Sequence, residues 1–280
     1  MKKTTLILSL LIAGGIVALL TWNYYSNKQS QKLNCPQVPN TDLQILNDTY
    51  LSRIHLFKNS DILKKFSKHY GKDHPLSVGT FPIDSFIALI DKEPTANGLK
   101  IYFGALNQEG TTTDNAYSKD FDHLVVPIFV FTHQHDTVMH RDFGAYYIFN
   151  PHSNSLVTID IKSAQAWIKH FRKDLEIDRL EVLKLWYDLS RLKGWEADIA
   201  CQRSVAGNNI DSISLDWGIY DSNIKDPSDG KTLITTINRF TMLFNVPNAR
   251  PAAYKLTGDY DTAVPCPPGQ NCDGDNLNYP

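Results

Sequence analysis

The side chains best suited to chemistry stand together in one stretch, Thr132-His133-Gln134-His135-Asp136-Thr137-Val138-Met139-His140. His133 and His135 are two apart, so on an extended chain both imidazoles share one face. Neutral imidazole and carboxylate are zinc ligands, and a zinc ion with an open position activates water for hydrolysis. The candidate metal set is therefore His133, His135, Asp136 and His140, with zinc as cofactor and metal-dependent hydrolysis as the activity. The competing reading of the same residues is a polar strand end carrying surface histidines, with no cofactor. It is the favoured one, because no further ligand has a patterned position; His152 and His170 stand alone.

An apolar strand running into Thr-His-x-His resembles the metal motif of metallo-β-lactamase-like hydrolases, which implies zinc at His133 and His135. That family has Asp two residues after the second His and a His directly after it. Thr137 and Val138 occupy those positions here, and Asp136 comes one residue early.

Other constellations are simpler. The chain has no Gly-x-Ser-x-Gly elbow, phosphate loop or dinucleotide fingerprint. Asp273-Gly274-Asp275-Asn276 begins like a calcium loop, but Leu277 falls where an oxygen ligand belongs. Asp259 and Asp261 could be paired carboxylates, but Gly258-Asp259-Tyr260 is more simply a turn. Tyr146, Tyr147, Trp167, Trp186, Trp195 and Trp217 could line a ligand groove, but aromatics at strand and helix spacing are expected in a core.

These residues need elements to position them. Lys2 and Lys3 precede an uncharged run from Thr4 to Trp22, nineteen residues. At about 1.5 Å per residue a helix of that length matches a bilayer core. Trp22, Tyr24 and Tyr25 suit an interfacial belt. No small-residue cleavage site follows Ala18, and Lys32-Leu33-Asn34 before Cys35 is not a lipoprotein box. The expectation is a signal anchor over 1–25 and a polar linker over 26–40. A 41–262 domain then lies outside a bacterial inner membrane, in the periplasm, and 263–280 forms a polar tail. The four lysines before Cys35 leave 24 basic against 30 acidic residues, a net of −6, which argues against a nucleic-acid partner. Expected partners are the membrane, through residues 4–22, and an envelope protein or small ligand.

Within the domain, the clearest unit is Phe81–Leu106. Ile83, Phe86, Ile87 and Ile90 make a helical stripe, Pro94 stops the helix and Asn97-Gly98 makes a turn. Leu99, Ile101 and Phe103 then alternate with Lys100 and Tyr102, predicting a strand with one buried face on which Lys100 is dispensable. Strands are expected over 123–132, 143–150, 155–161, 210–220 and 232–242, with Pro127 marking an edge or bulge. Helices are expected over 42–54, 60–70, 163–172 and 178–193. In the last, Val182, Leu185, Trp186, Leu189 and Leu192 form the stripe and Gly194 ends it. The fold class is α+β. Leu99–Asn107 can be laid over Ile213–Asp221 with the glycine and the preceding aromatic coinciding, so an internal duplication into halves 41–161 and 162–262 stays open.

The GLKIYFG strand after an apolar helix, and the late Cys266-Pro267-Pro268, resemble a family of uncharacterised bacterial membrane and envelope-associated proteins. The resemblance covers about an eighth of the chain and implies no functional residues. Four cysteines, Cys35, Cys201, Cys266 and Cys272, allow three pairings. The turn-forming Pro-Pro-Gly-Gln-Asn between Cys266 and Cys272 favours a local disulfide, which leaves Cys35 for Cys201. Bridges of this kind belong to an oxidising compartment; four free thiols in a cytosol-facing domain are the alternative. The first functional reading is a membrane-anchored binding or envelope-organising module, and the second is the metal-dependent hydrolase.

Overall fold

A computed structural model describes residues 51–61, 63–65, 77–106, 125–135, 138–150, 153, 155–175, 184–204, 210–220, 224–225, 233–234, 240–246, 255–256 and 264–265. The chain divides into Met1–Pro36 and Gln37–Pro280, and every described residue belongs to the second unit. The Thr4–Trp22 run lies outside the described residues. Among those residues, no helix is long and apolar enough to cross a membrane.

The body is a mixed α+β fold with two antiparallel sheets and few helices. The larger sheet holds β2 (Gly98–Ala105), β3 (Val125–His135), β4 (Val138–Phe149), β5 (Leu156–Ile159), β6 (Lys184–Asp188) and β12 (Val264–Pro265), in the order β12-β6-β2-β3-β4-β5. The smaller sheet holds β1 (Ser77–Pro82), β7 (Ser212–Ile219), β10 (Phe240–Asn245) and β11 (Lys255–Leu256), in the order β1-β7-β10-β11. A short ribbon pairs β8 (Ile224–Lys225) with β9 (Leu233–Ile234). Strands from 41–161 and 162–262 share both sheets, since β1 pairs with β7 and β2 with β6. The two halves suggested by the sequence therefore do not each build a sheet of their own.

Period-2 patterning sets the layers. Leu99, Ile101 and Phe103 of β2 pack with Phe129 and Phe131 of β3 and with Ile213, Leu215, Trp217 and Phe244 of the smaller sheet. Phe103 lies 5.0 Å from Trp217, ring centre to ring centre, and Phe81 stacks on Phe149 at 4.3 Å. Helix α1 (Ile83–Ile90) enters this core with Ile83, Phe86, Leu89 and Ile90. Leu89 takes the buried place expected for Ile87, which is only half-buried. The helix stops as expected, with the Asp91 N–H donating to the Ile87 carbonyl.

The opposite face of the larger sheet is covered at one end by helix α2 (Ile161–Leu175), through Ala164, Trp167 and Ile168 against Tyr102, Ile128 and Ile148. Asp160 starts this helix by accepting from the Ser163 hydroxyl and from the Ser163 and Lys162 N–H groups, which hold its carboxyl below the ordinary range. This second covering overturns the expectation of one buried face for β2. Lys100 is 0% exposed, because central strands are covered on both sides.

Two further expectations are corrected. Residues 184–188 are strand β6, paired with β2 from Gly98–Asp188 to Tyr102–Lys184. The helix begins only at Leu189 as α3 (Leu189–Arg203), where the Asp188 carboxylate accepts from the Ser190 and Arg191 N–H groups. Gly194, expected to end a helix, lies inside α3. Pro127 lies in an interior strand, opposite Phe103. It sits beyond Phe129–Tyr147, the last β3–β4 pair, so that side of the ladder has already opened.

Candidate functional site

Two features stand out on the β3–β4 hairpin, and both depend on one irregularity. Val130 pairs with Tyr146, but Phe131 pairs with Phe143, so Gly144 and Ala145 are extra residues in β4. Gly144 has φ +79°, a conformation that glycine adopts without steric cost. This bulge draws Asp142 opposite Thr132 and Phe143 opposite Phe131.

The first feature is a charged cluster on the α2-facing side of the sheet. The Lys100 Nζ donates to Asp142 Oδ1 at 2.7 Å, with side-chain exposures of 0% and 1%. The Tyr102 and Tyr146 hydroxyls both donate to Asp142 Oδ2, at 2.9 and 3.2 Å. β2 and β4 are not neighbours, so the pair reaches over β3. Beside it, Trp186 Nε1 donates to Thr132 Oγ1 at 2.9 Å and Thr132 Oγ1 donates to Asn97 Oδ1 at 2.8 Å. The Trp186 indole lies over Gly98, where an added Cβ would stand 2.1 Å from Nε1. Asn97 also donates its N–H to the Thr132 carbonyl and accepts from the Leu189 N–H, locking the turn before β2 to the start of α3.

The second feature is the hairpin end. The β2–β3 ladder finishes at Gly98–Thr132, and β5 pairs with β4 only from Tyr146 to Phe149. His133–Arg141 and His135–Val138 therefore continue as a two-stranded ribbon, and no third strand pairs with it among the described residues. His133 is half-buried, its ring edge-to-face with Phe143 at 4.6 Å and its Nε2 3.3 Å from Thr95 Oγ1. Phe143 is 43% exposed and Arg141 is exposed. At the base, burial raises the Tyr147 hydroxyl above its ordinary range, and the nearby Glu93 charge adds to the shift.

Of the metal candidates, only the His133 side chain lies among the described residues. His135 and His140 have their backbone in β3 and β4, with side chains outside them; Asp136 is wholly outside. No three His, Cys, Asp or Glu side chains gather as a metal set among the described residues. Asp259, Asp261 and 273–276 also lie outside, and His170 sits on α2. The six aromatics do not line one groove. Tyr147, Trp195 and Trp217 fill the core between the sheets, Tyr146 lies on the sheet face that Trp167 of α2 covers, and Trp186 covers Gly98. Cys201 is buried near the end of α3; Cys35, Cys266 and Cys272, and with them every pairing expected from the sequence, lie outside the described residues.

Sequence reasoning missed Lys100, Asp142, Thr132 and Asn97 as a group. The one local signal was a lysine and a tyrosine alternating with aliphatics in a strand that proved interior. No family model, curated protein or solved structure matches the chain.

Proposed function

We propose that this protein is a single-span bacterial inner-membrane protein whose α+β body lies in the periplasm and acts as a binding module. Its contact element in this reading is the β3–β4 ribbon around His133, Arg141 and Phe143. The uncharged Thr4–Trp22 run with its flanking lysines and aromatics supports the anchor. The observation that carries the binding reading is the continuation of the ribbon past its neighbours, with Phe143 exposed beside an exposed Arg141. Aromatic and arginine side chains dominate binding energy where proteins meet. A ribbon with no flanking strand among the described residues also offers its backbone edges to a partner.

The test uses the full chain extracted from membranes in detergent. Phe143→Asp with Arg141→Glu should abolish co-purification of whatever wild type retains, at unchanged melting temperature. Leu51→Asp, an exposed position away from the ribbon, should retain it. Identical retention by all three proteins sinks the ribbon reading. Recovery of a soluble mature chain starting between residues 23 and 35 sinks the anchor. Stoichiometric zinc lost on His133→Ala with His135→Ala would replace both roles with the metal-dependent hydrolase.

A further inference from the structure

Asp142 is an odd residue to find where it is. It stands opposite Thr132 in an interior part of the sheet, with Lys100, Tyr102 and Tyr146 on its carboxylate, and neither member of the Lys100–Asp142 pair is exposed to water. Taking both charges out of water costs several kcal/mol per ion, and a packed apolar pair is often as stable or more so. The pair is thus poorly explained as a device for stability alone. Its contact atoms are also those of a reaction: an amine nitrogen held against a carboxyl group by the fold, with two hydroxyl donors on the other carboxyl oxygen.

We propose that Lys100 and Asp142 close to an intramolecular amide, a covalent bridge from β2 to β4 across β3. A proton first passes from Lys100 Nζ to Asp142 Oδ1, giving the neutral amine and acid. The Nζ lone pair attacks Cγ, the N–Cγ bond forms, and the carbonyl electron pair moves onto Oδ2. The Tyr102 and Tyr146 hydroxyls already donate to Oδ2, where the negative charge develops. A second proton moves from Nζ to Oδ1, the Oδ2 pair restores the carbonyl, and Oδ1 leaves as water. The balance is ammonium plus carboxylate to amide plus one water, and no oxidant or co-reactant is needed. The buried site favours this direction twice over. Fixed reactants raise the effective concentration of the amine by many orders of magnitude, and the product carries no charge to desolvate. Tyr102 and Tyr146 are the catalytic residues of this step. The bridge is separate from any role of the ribbon and stands or falls without it.

The product of such a step is a strand pair that denaturant, reductant or pulling cannot separate. Peptide mapping of the reduced full chain decides the matter. Trypsin should fail to cut at Lys100 and should yield a branched peptide joining Glu93–Lys119 to Asp142–Lys162, lighter by one water than the two together. Asp142→Asn should give the same branch with loss of ammonia instead. Tyr102→Phe with Tyr146→Phe should leave a larger unbridged fraction in freshly made protein. Ordinary cleavage after Lys100 in the wild-type chain, with Glu93–Lys100 recovered as a free peptide, overturns the proposal.

Discussion

Leu99, Ile101 and Phe103 look into the core between the sheets, Lys100 and Tyr102 look the other way, and none of the five meets water. The two faces of this one strand hold the molecule by different physics. The inner face is apolar throughout, and its energy follows area and volume, with little dependence on which apolar side chain fills the space. The other face is held by directed contacts: Lys100 to Asp142, two hydroxyls to the same carboxylate, and Trp186 through Thr132 to Asn97. A directed network has few acceptable substitutes, because removing one member strands the rest. The inner face should therefore tolerate changes of shape, and the outer face should not tolerate changes of chemistry.

The largest effect should come from exchanging one member of the outer network for an apolar residue. Asp142→Leu leaves the Lys100 ammonium buried without its carboxylate and should cost about 3–5 kcal/mol. Ile101→Leu, an apolar exchange at an equally buried inner position, should cost less than about 1.5 kcal/mol. Denaturant unfolding of the full chain measures both. Adding Lys100→Met to Asp142→Leu should recover the part of the loss that comes from the stranded charge. Equal costs for the two single changes would remove the distinction between the faces.

The asymmetry also explains which parts could be read in advance. Helix α1 and strands β2 and β7 follow from periodicity, because their apolar residues recur at the spacing of the element that buries them, and β3 follows from a nearly continuous apolar run. Burial on both faces of β2 did not follow, because alternation reports polarity and Lys100 looks solvated to any local rule. Its partner is 42 positions away and reaches it only through a bulge at Gly144. β6 and α3 were misread together. Leu185, Trp186, Leu189 and Leu192 fit a helical stripe, but the first two belong to a strand fixed by β2 and the last two to the helix behind it. Asp188 with Ser190 was the local sign of the boundary, a capping pair standing inside what looked like one helix. The anchor, every side chain of the metal set except His133, and three of the four cysteines lie outside the described residues.

An intermediate effect is expected at Gly98, where the outer network meets the backbone. Gly98→Ala would place a methyl 2.1 Å from Trp186 Nε1, and the indole must give up its place over the strand and its bond to Thr132. Overpacking of this kind costs about 1–3 kcal/mol. The signature that separates it from ordinary destabilisation is a shifted tryptophan emission in the still-folded protein. Gly98→Ala with an unchanged emission spectrum and midpoint would mean that the indole is not fixed there.

The smallest effect belongs to the ion pair that the comparison needs as its control. Arg203, at the end of α3, donates from Nη1 and Nη2 to Asp84 Oδ1 and Oδ2 at 2.5 and 3.3 Å. The chemistry resembles Lys100–Asp142, but here the Asp84 side chain is 74% exposed. The Arg203 hydrogen bond holds the Asp84 carboxyl below its ordinary range, with burial opposing and the Arg203 charge adding a smaller push. A carboxyl lowered in the folded state stabilises at every pH above its unfolded value. That contribution is lost as pH falls through the lowered folded value. In water the pair is worth less than about 1 kcal/mol. Asp84→Asn should therefore cost a few tenths of a kcal/mol to about 1 at neutral pH. The gap from wild type should close in acid, once the native carboxyl is also neutral. Molar salt should close it too, since exposed charges are screened within a few ångströms. The Asp142→Leu penalty should survive the same salt, because no counter-ion reaches a pair with no exposure. If salt erased both penalties alike, water and ions would have to reach Lys100, and the outer face of β2 would be open.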